Sequence, residues 1–173
     1  MDAGSWFDEK FAGEQVPAFE EILDTYRGQI GMLIELKSPE LYPGNEEKVA
    51  DALIERNIHR PNNNKIIIQS FNHEAVQTSK ELLLKIPHGV LAGMIAADVT
   101  DEQLVKCATY SNYFNPNRNI VDHELVEGVH RSGLKIYAYT VRAQEQADKL
   151  FATGVDGIIS DFPEYVHDFP GQK

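Results

Sequence analysis

The chain has a single cysteine and a single tryptophan among its 173 residues, with 16 lysines and arginines against 27 acidic residues. With only Cys107, an internal disulfide or a cysteine-based metal site is excluded, and position 107 reads as core filling. The formal net charge of -11 opposes general attraction to nucleic-acid backbones or anionic lipid surfaces. A small anionic substrate stays compatible with it, because a local cation outweighs a mean field at short range. No apolar run approaches the ~20 residues that span a bilayer. No basic-then-apolar leader opens the chain, so the cytoplasm is the expected location if Met1 is the true start. No Pro/Gly/Ser tract divides the sequence, and its 42% hydrophobic content suits one soluble core.

What is present centres on Met32-Leu33-Ile34-Glu35-Leu36-Lys37-Ser38-Pro39, an apolar run that reads as a short strand carrying one acid and one base. Strand side chains alternate, so Glu35 and Lys37 share a face with Leu33 while Met32, Ile34 and Leu36 cover the other. Ionised groups in a dry core cost several kcal/mol unless paired or bound. That face therefore either holds a structural ion pair or opens onto a site.

Around this strand the pattern repeats. Residues 1 to 16 are irregular and pinned by Trp6, Phe7 and Phe11, and a helix follows from Pro17 to Gly28 with Phe19, Ile22, Leu23 and Tyr26 inward. A second helix, with Val49, Ala52, Leu53 and Arg56 on one stripe, ends before an Asn62-Asn63-Asn64 turn. Further strands are expected over 65–71, 89–95, 110–114, 134–141 and 155–160, with Asn115-Pro116-Asn117-Arg118 as a loop. Helices lie between them. One is capped by Asn72, one opens on a Thr100/Gln103 capping box, one ends at Gly133 and one at Gly154.

Expected strand starts at 32, 65, 89, 110, 134 and 155 recur at the spacing of consecutive right-handed βα units. Length favours a doubly wound open sheet, since a closed eight-stranded barrel takes ~250 residues. Against the sheet, the first βα turn lacks a Gly-x-Gly-x-x-Gly loop, and the charges on Glu35 and Lys37 would face packed helices. In a barrel they face the mouth, where active sites form.

Four words recur in order: Leu33-Ile34-Glu35-Leu36-Lys37-Ser38-Pro39, Ile68-Gln69-Ser70-Phe71-Asn72, Ile136-Tyr137-Ala138-Tyr139-Thr140-Val141, and Gly154-Val155-Asp156-Gly157-Ile158-Ile159-Ser160-Asp161-Phe162-Pro163. Together with the opening Asp2-Ala3-Gly4-Ser5-Trp6-Phe7, they resemble the glycerophosphodiester phosphodiesterase family across nearly the whole chain. The resemblance implies an α/β fold of the (β/α)8 TIM-barrel type, with strands three to eight present and the first two missing. It makes residues 1–173 a single, N-terminally incomplete domain, in which 1–16 close an insertion and 17–173 supply the remaining barrel units.

By the same resemblance Glu35 matches a metal-ligand glutamate and Lys37 a phosphate-contacting catalytic lysine, while Phe71 and Tyr139 line the polyol pocket. Tyr139 stands where the family often has tryptophan, and Arg142 where it often has asparagine. The implied reaction is metal-dependent hydrolysis of glycerophosphodiesters to an alcohol and sn-glycerol 3-phosphate, in lipid and glycerol metabolism, with Mg²⁺ or Ca²⁺ as cofactor. A carboxylate is a hard oxygen ligand for such an ion, and an ammonium stabilises charge growing on phosphate oxygens.

The family's His-Arg-Gly motif, acidic pair and second histidine belong to the first two strands. The six histidines here, at 59, 73, 88, 123, 130 and 167, are expected in helices, loops or the tail and outside the strand words. An inactive chain is therefore expected, with weak metal binding and self-association through the open gap of the barrel. Two origins fit: a piece of an enzyme that begins upstream, Met1 being an internal start, or a non-catalytic module for binding or assembly.

Overall fold

A computed structural model describes residues 2–60, 65–93 and 99–166. The expected Asn62-Asn63-Asn64 turn, Ile95 and His167 lie outside the described residues. Six strands alternate with helices in the order α1 (Phe19–Tyr26), β1 (Met32–Glu35), α2 (Asn45–Glu55), β2 (Ile66–Ser70), α3 (His73–Leu82), β3 (His88–Ala92), α4 (Asp101–Ala108), β4 (Tyr113–Pro116), α5 (His123–Arg131), β5 (Lys135–Val141), α6 (Gln144–Thr153) and β6 (Gly157–Ser160). All neighbouring strands pair in parallel, in sequence order from β1 to β6. The fold is thus the curled, partial (β/α) barrel that the resemblance implies, not the doubly wound sheet that length favours. Among the described residues no strand pairs with the outer edge of β1 or β6.

Among the described residues the helices pack on the convex side. Leu23, Leu53, Ile66, Ile68 and Ala75 form one core between α1–α3 and the first strands, with Met32 and Ile34 packed against it. Val90, Leu104, Phe114, Val129, Ile136 and Ala147 form the second, under α4–α6. Since these strand residues alternate with Leu33, Glu35, Gln69, Gly89, Asn115 and Tyr137, the latter set lines the concave face. Side-chain size there is complementary: a Cβ on Gly157 would stand 2.9 Å from the Tyr137 ring, which meets Tyr113 at a 55° tilt with 4.9 Å between centroids.

Local signals explain the helix ends. Asn72 Oδ1 accepts from the backbone N–H groups of Glu74 and Ala75, and Thr100 and Gln103 form the reciprocal box. Gly154, at a φ of 91°, closes α6 in the left-handed conformation. Pro17 stands one residue before the Ala18 cap rather than in the first turn, and Glu21 caps the Ala18 N–H from inside the helix.

Two expectations need correction. The fourth strand begins at Tyr113, not at residue 110, because the N–H groups of Tyr110 and Ser111 bond back to the Cys107 carbonyl and extend the end of α4. Asn115 and Pro116 therefore belong to the strand rather than to a loop. His88, likewise, opens β3. Its imidazole is fully buried between the Ile86 carbonyl at 2.8 Å and the Ser79 hydroxyl at 3.0 Å, and burial holds its pKa down to about 4.

Candidate active site

At the C-terminal ends of the strands the concave face forms an open cavity of about 360 Å³, lined by Glu35, Lys37, Gln69, Phe71, Leu91, Tyr139 and Ile159 among others. That volume falls in the range of small-molecule sites. All four residues singled out in the sequence, Glu35, Lys37, Phe71 and Tyr139, meet there. Glu35 and Lys37 are exposed on the concave face, whereas Leu36 between them is 1% exposed. Neither charged group has an ion-pair partner among the described residues, which removes the structural ion pair as their explanation.

The end of β1 is held from below. Ser70 Oγ donates to the Leu36 carbonyl at 2.6 Å and accepts from the Asn72 N–H at 3.1 Å, so one buried hydroxyl ties β1 to the β2–α3 turn. Beyond Lys37 the chain turns through Ser38, whose φ of 46° is uncommon for a residue with a side chain. The 3-10 turn Pro39–Leu41 follows and returns Glu40 to the cavity wall. Strained backbone of this kind concentrates at functional sites.

The opposite wall is aromatic. The Phe71 and Tyr139 rings meet edge to face, 5.7 Å apart at 90°. The Tyr139 hydroxyl donates to the Ala92 carbonyl at 2.7 Å, and burial first, then the charge of Glu35, raise its pKa. Arg142 takes no part in the lining: its guanidinium pairs with Asp161 at 2.9 Å. None of the five described histidines lines the cavity either. His73 contacts the Tyr110 hydroxyl at 3.0 Å, and His130 contacts Asp156 at 2.9 Å.

The resemblance implies a divalent ion at Glu35. Mg²⁺ takes six oxygen ligands and Ca²⁺ six to eight. Among the described residues no group of three His, Cys, Asp or Glu side chains is placed to hold an ion. Glu35 alone is one hard ligand, so the described residues do not by themselves fit a resident metal.

The sequence reading passed over the polar floor of the cavity. Gln69 is 4% exposed and Asn115 fully buried, and the Asn115 amide donates to Gln69 Oε1 at 2.8 Å across β3. The crossing needs Gly89, where a Cβ would stand 3.1 Å from Asn115 Nδ2. A signal for Gln69 was there: it breaks the apolar run of β2 as Glu35 breaks that of β1.

The model of the glycerophosphoryl diester phosphodiesterase family matches residues 1–165. The chain belongs to that family. The Bacillus subtilis (strain 168) protein YhdW is 35% identical over 166 residues, covering 96% of this chain and 67% of its own length. A glycerophosphodiester phosphodiesterase of Caldanaerobacter subterraneus is 34% identical over 168 residues, with 95% and 65% covered. A solved structure of an Oleispira antarctica phosphodiesterase, in complex with the product sn-glycerol-3-phosphate, superimposes with a TM-score of 0.76 at 28% identity, over 95% of this chain and 65% of that one. This family member thus spans about two thirds of the length of the curated relatives it matches.

Proposed function

We propose that this chain carries the phosphate- and glycerol-binding part of a glycerophosphodiester phosphodiesterase site, and that the reaction served is hydrolysis of a glycerophosphodiester to an alcohol and sn-glycerol 3-phosphate. The observation that carries this reading is the unpaired Glu35 and Lys37 on one wall of a cavity whose other wall is Phe71 and Tyr139. Family membership and the product-bound relative support it.

In the reaction a water oxygen forms a bond to phosphorus while the bond to the leaving alcohol oxygen breaks. In this reading the Lys37 ammonium offsets charge on the phosphoryl oxygens, and the two rings offer an apolar wall for the glycerol carbons. Glu35 would supply one carboxylate to a divalent cation, Mg²⁺ or Ca²⁺, only where other groups completed the ligand set, which the described residues do not. The attacking water must lose a proton and the leaving alkoxide must gain one, and no described histidine stands in the cavity to do either. The 173-residue chain by itself is therefore a binder of the glycerol-phosphate end that does not turn over.

Calorimetric or NMR titration with sn-glycerol 3-phosphate tests this. Saturable binding that weakens tenfold or more in Lys37→Met is expected, and equal binding by both forms sinks the reading. A non-catalytic module for binding or assembly is the second reading, and the lack of a described histidine in the cavity is expected of both origins. Coding sequence for His-Arg-Gly upstream of Met1 and in frame argues for the enzyme, and its absence for the module.

A further inference from the structure

We infer that Gln69 is a hydrogen-bond donor to a phosphoryl oxygen of the bound ligand, and that Asn115 is the positioning residue that fixes which end of the Gln69 amide faces the cavity. This deepens the proposed glycerol-phosphate site and rests on that reading.

The assignment of amide ends follows from donors that admit one choice. The Tyr137 backbone N–H only donates, so the Asn115 atom 3.2 Å from it is the carbonyl oxygen Oδ1. The other end of Asn115 is then Nδ2, a donor, and the Gln69 atom that it meets at 2.8 Å is the oxygen Oε1. The Gln69 Nε2 is what remains. It has no partner among the described residues, nor is it a fully enclosed unsatisfied nitrogen, although the residue is only 4% exposed and lines the cavity. A nearly buried amide with its oxygen occupied and its two N–H groups left over is built to donate into that space.

The class of acceptor follows from the neighbours. Gln69 pairs in register with Glu35, and Lys37 stands two residues further along the same face. A phosphoryl oxygen carries no proton and accepts from an ammonium and an amide N–H together. A glycerol hydroxyl accepts equally well from a carboxamide but can turn and donate instead, so it discriminates poorly between an amide and a carboxylate.

The substitutions use that difference. Gln69→Glu keeps the shape and replaces the donor with an acceptor. Asn115→Asp keeps the bond from the Tyr137 N–H but faces Gln69 with an oxygen, which turns the Gln69 amide and presents Oε1 to the cavity. Side-chain amide NMR signals of the ¹⁵N-labelled chain are followed during titration with sn-glycerol 3-phosphate, inorganic phosphate and glycerol, with thermal unfolding recorded for each variant.

The expected result is a Gln69 amide shift on adding either phosphate compound. Both variants then lose tenfold or more in affinity for sn-glycerol 3-phosphate and for phosphate, whereas any binding of glycerol changes less than threefold. Unchanged phosphate affinity in Gln69→Glu overturns the inference while leaving the site reading intact. Equal losses for phosphate and glycerol reduce Asn115 to a structural role and overturn its part. Phosphate binding that depends on Gln69 without preference for sn-glycerol 3-phosphate upholds the subsite and defeats the glycerophosphodiester reading. No binding of either phosphate compound by the unsubstituted chain overturns both.

Discussion

Ser70 Oγ donates a 2.6 Å hydrogen bond to the carbonyl of Leu36, the residue between the two charged side chains of the cavity. Replacement by alanine leaves that buried carbonyl short of a partner and the Asn72 N–H short of its acceptor. A buried group left unpaired costs about 1–3 kcal/mol. Ser70→Ala is accordingly expected to lower unfolding free energy by that amount in urea denaturation, and to weaken sn-glycerol 3-phosphate binding beyond the loss seen in Ser79→Ala, a buried hydroxyl away from the cavity. Equal ligand affinity in Ser70→Ala and the unsubstituted chain speaks against Ser70 holding the β1 end in place.

His88 gives the pH dependence its sign. Its folded pKa, about 4, lies below the ordinary value of 6.5, with burial the main cause, so the unfolded chain binds the proton first. Stability from this group is complete above 6.5 and is lost as pH falls toward 4. The linkage is worth about 3 kcal/mol over that window. In His88→Gln the unfolding free energy should fall less steeply between those limits. An unchanged slope would show that carboxylates alone set the acid limb.

The order of strands and helices was legible because each βα unit carries its own apolar period and several carry a cap, such as Asn72, Thr100 and Gly154, all of them local signals. The register of β4 was not. Tyr110 has strand-like character in the sequence, but a local pair of bonds to the Cys107 carbonyl keeps it at the end of α4, and the strand starts three residues later. That displacement moves Asn115 from an expected loop to a buried place against Gln69, which lines the cavity, and Gln69 goes unremarked with it. His88 was misplaced for the same reason, because a polar residue after Pro87 reads as loop until Ser79 and the Ile86 carbonyl are seen to satisfy it. Glu35, Lys37, Phe71 and Tyr139, which share one cavity, stand out in the sequence because they sit in words with family meaning or break a strand's polarity. What joins Gln69 to Asn115 is a contact between residues 46 apart in sequence, visible only once β2, β3 and β4 are side by side.

Glu35 offers a single carboxylate to a cation, so the 173-residue chain should bind Mg²⁺ or Ca²⁺ weakly by calorimetric titration. In a longer protein with all eight strands, Glu35→Gln should lower divalent-ion affinity more than it lowers the melting temperature, because the exposed side chain has no hydrogen-bond or ion-pair partner among the described residues. The same metal affinity in both versions would remove Glu35 from the ligand set.

The last expectation concerns the sheet's two free edges. Bonds such as Met32 N–H to the Lys65 carbonyl and Leu36 N–H to the Gln69 carbonyl use one side of β1, and the alternate backbone groups of Leu33 and Glu35 point the other way with no strand beside them among the described residues. β6 ends the sheet in the same way. Leu33, 40% exposed on the concave face, adds apolar surface next to that edge. Unpaired edges of a parallel sheet invite pairing with another chain. The 173-residue chain expressed by itself should therefore self-associate or aggregate, seen as a mass above 19.5 kDa in multi-angle light scattering. It should also release no glycerol phosphate in a coupled assay, since no described histidine reaches the cavity. A monodisperse monomer that melts cooperatively and hydrolyses a glycerophosphodiester would show that six strands suffice and that the acid and base lie among groups given other roles here.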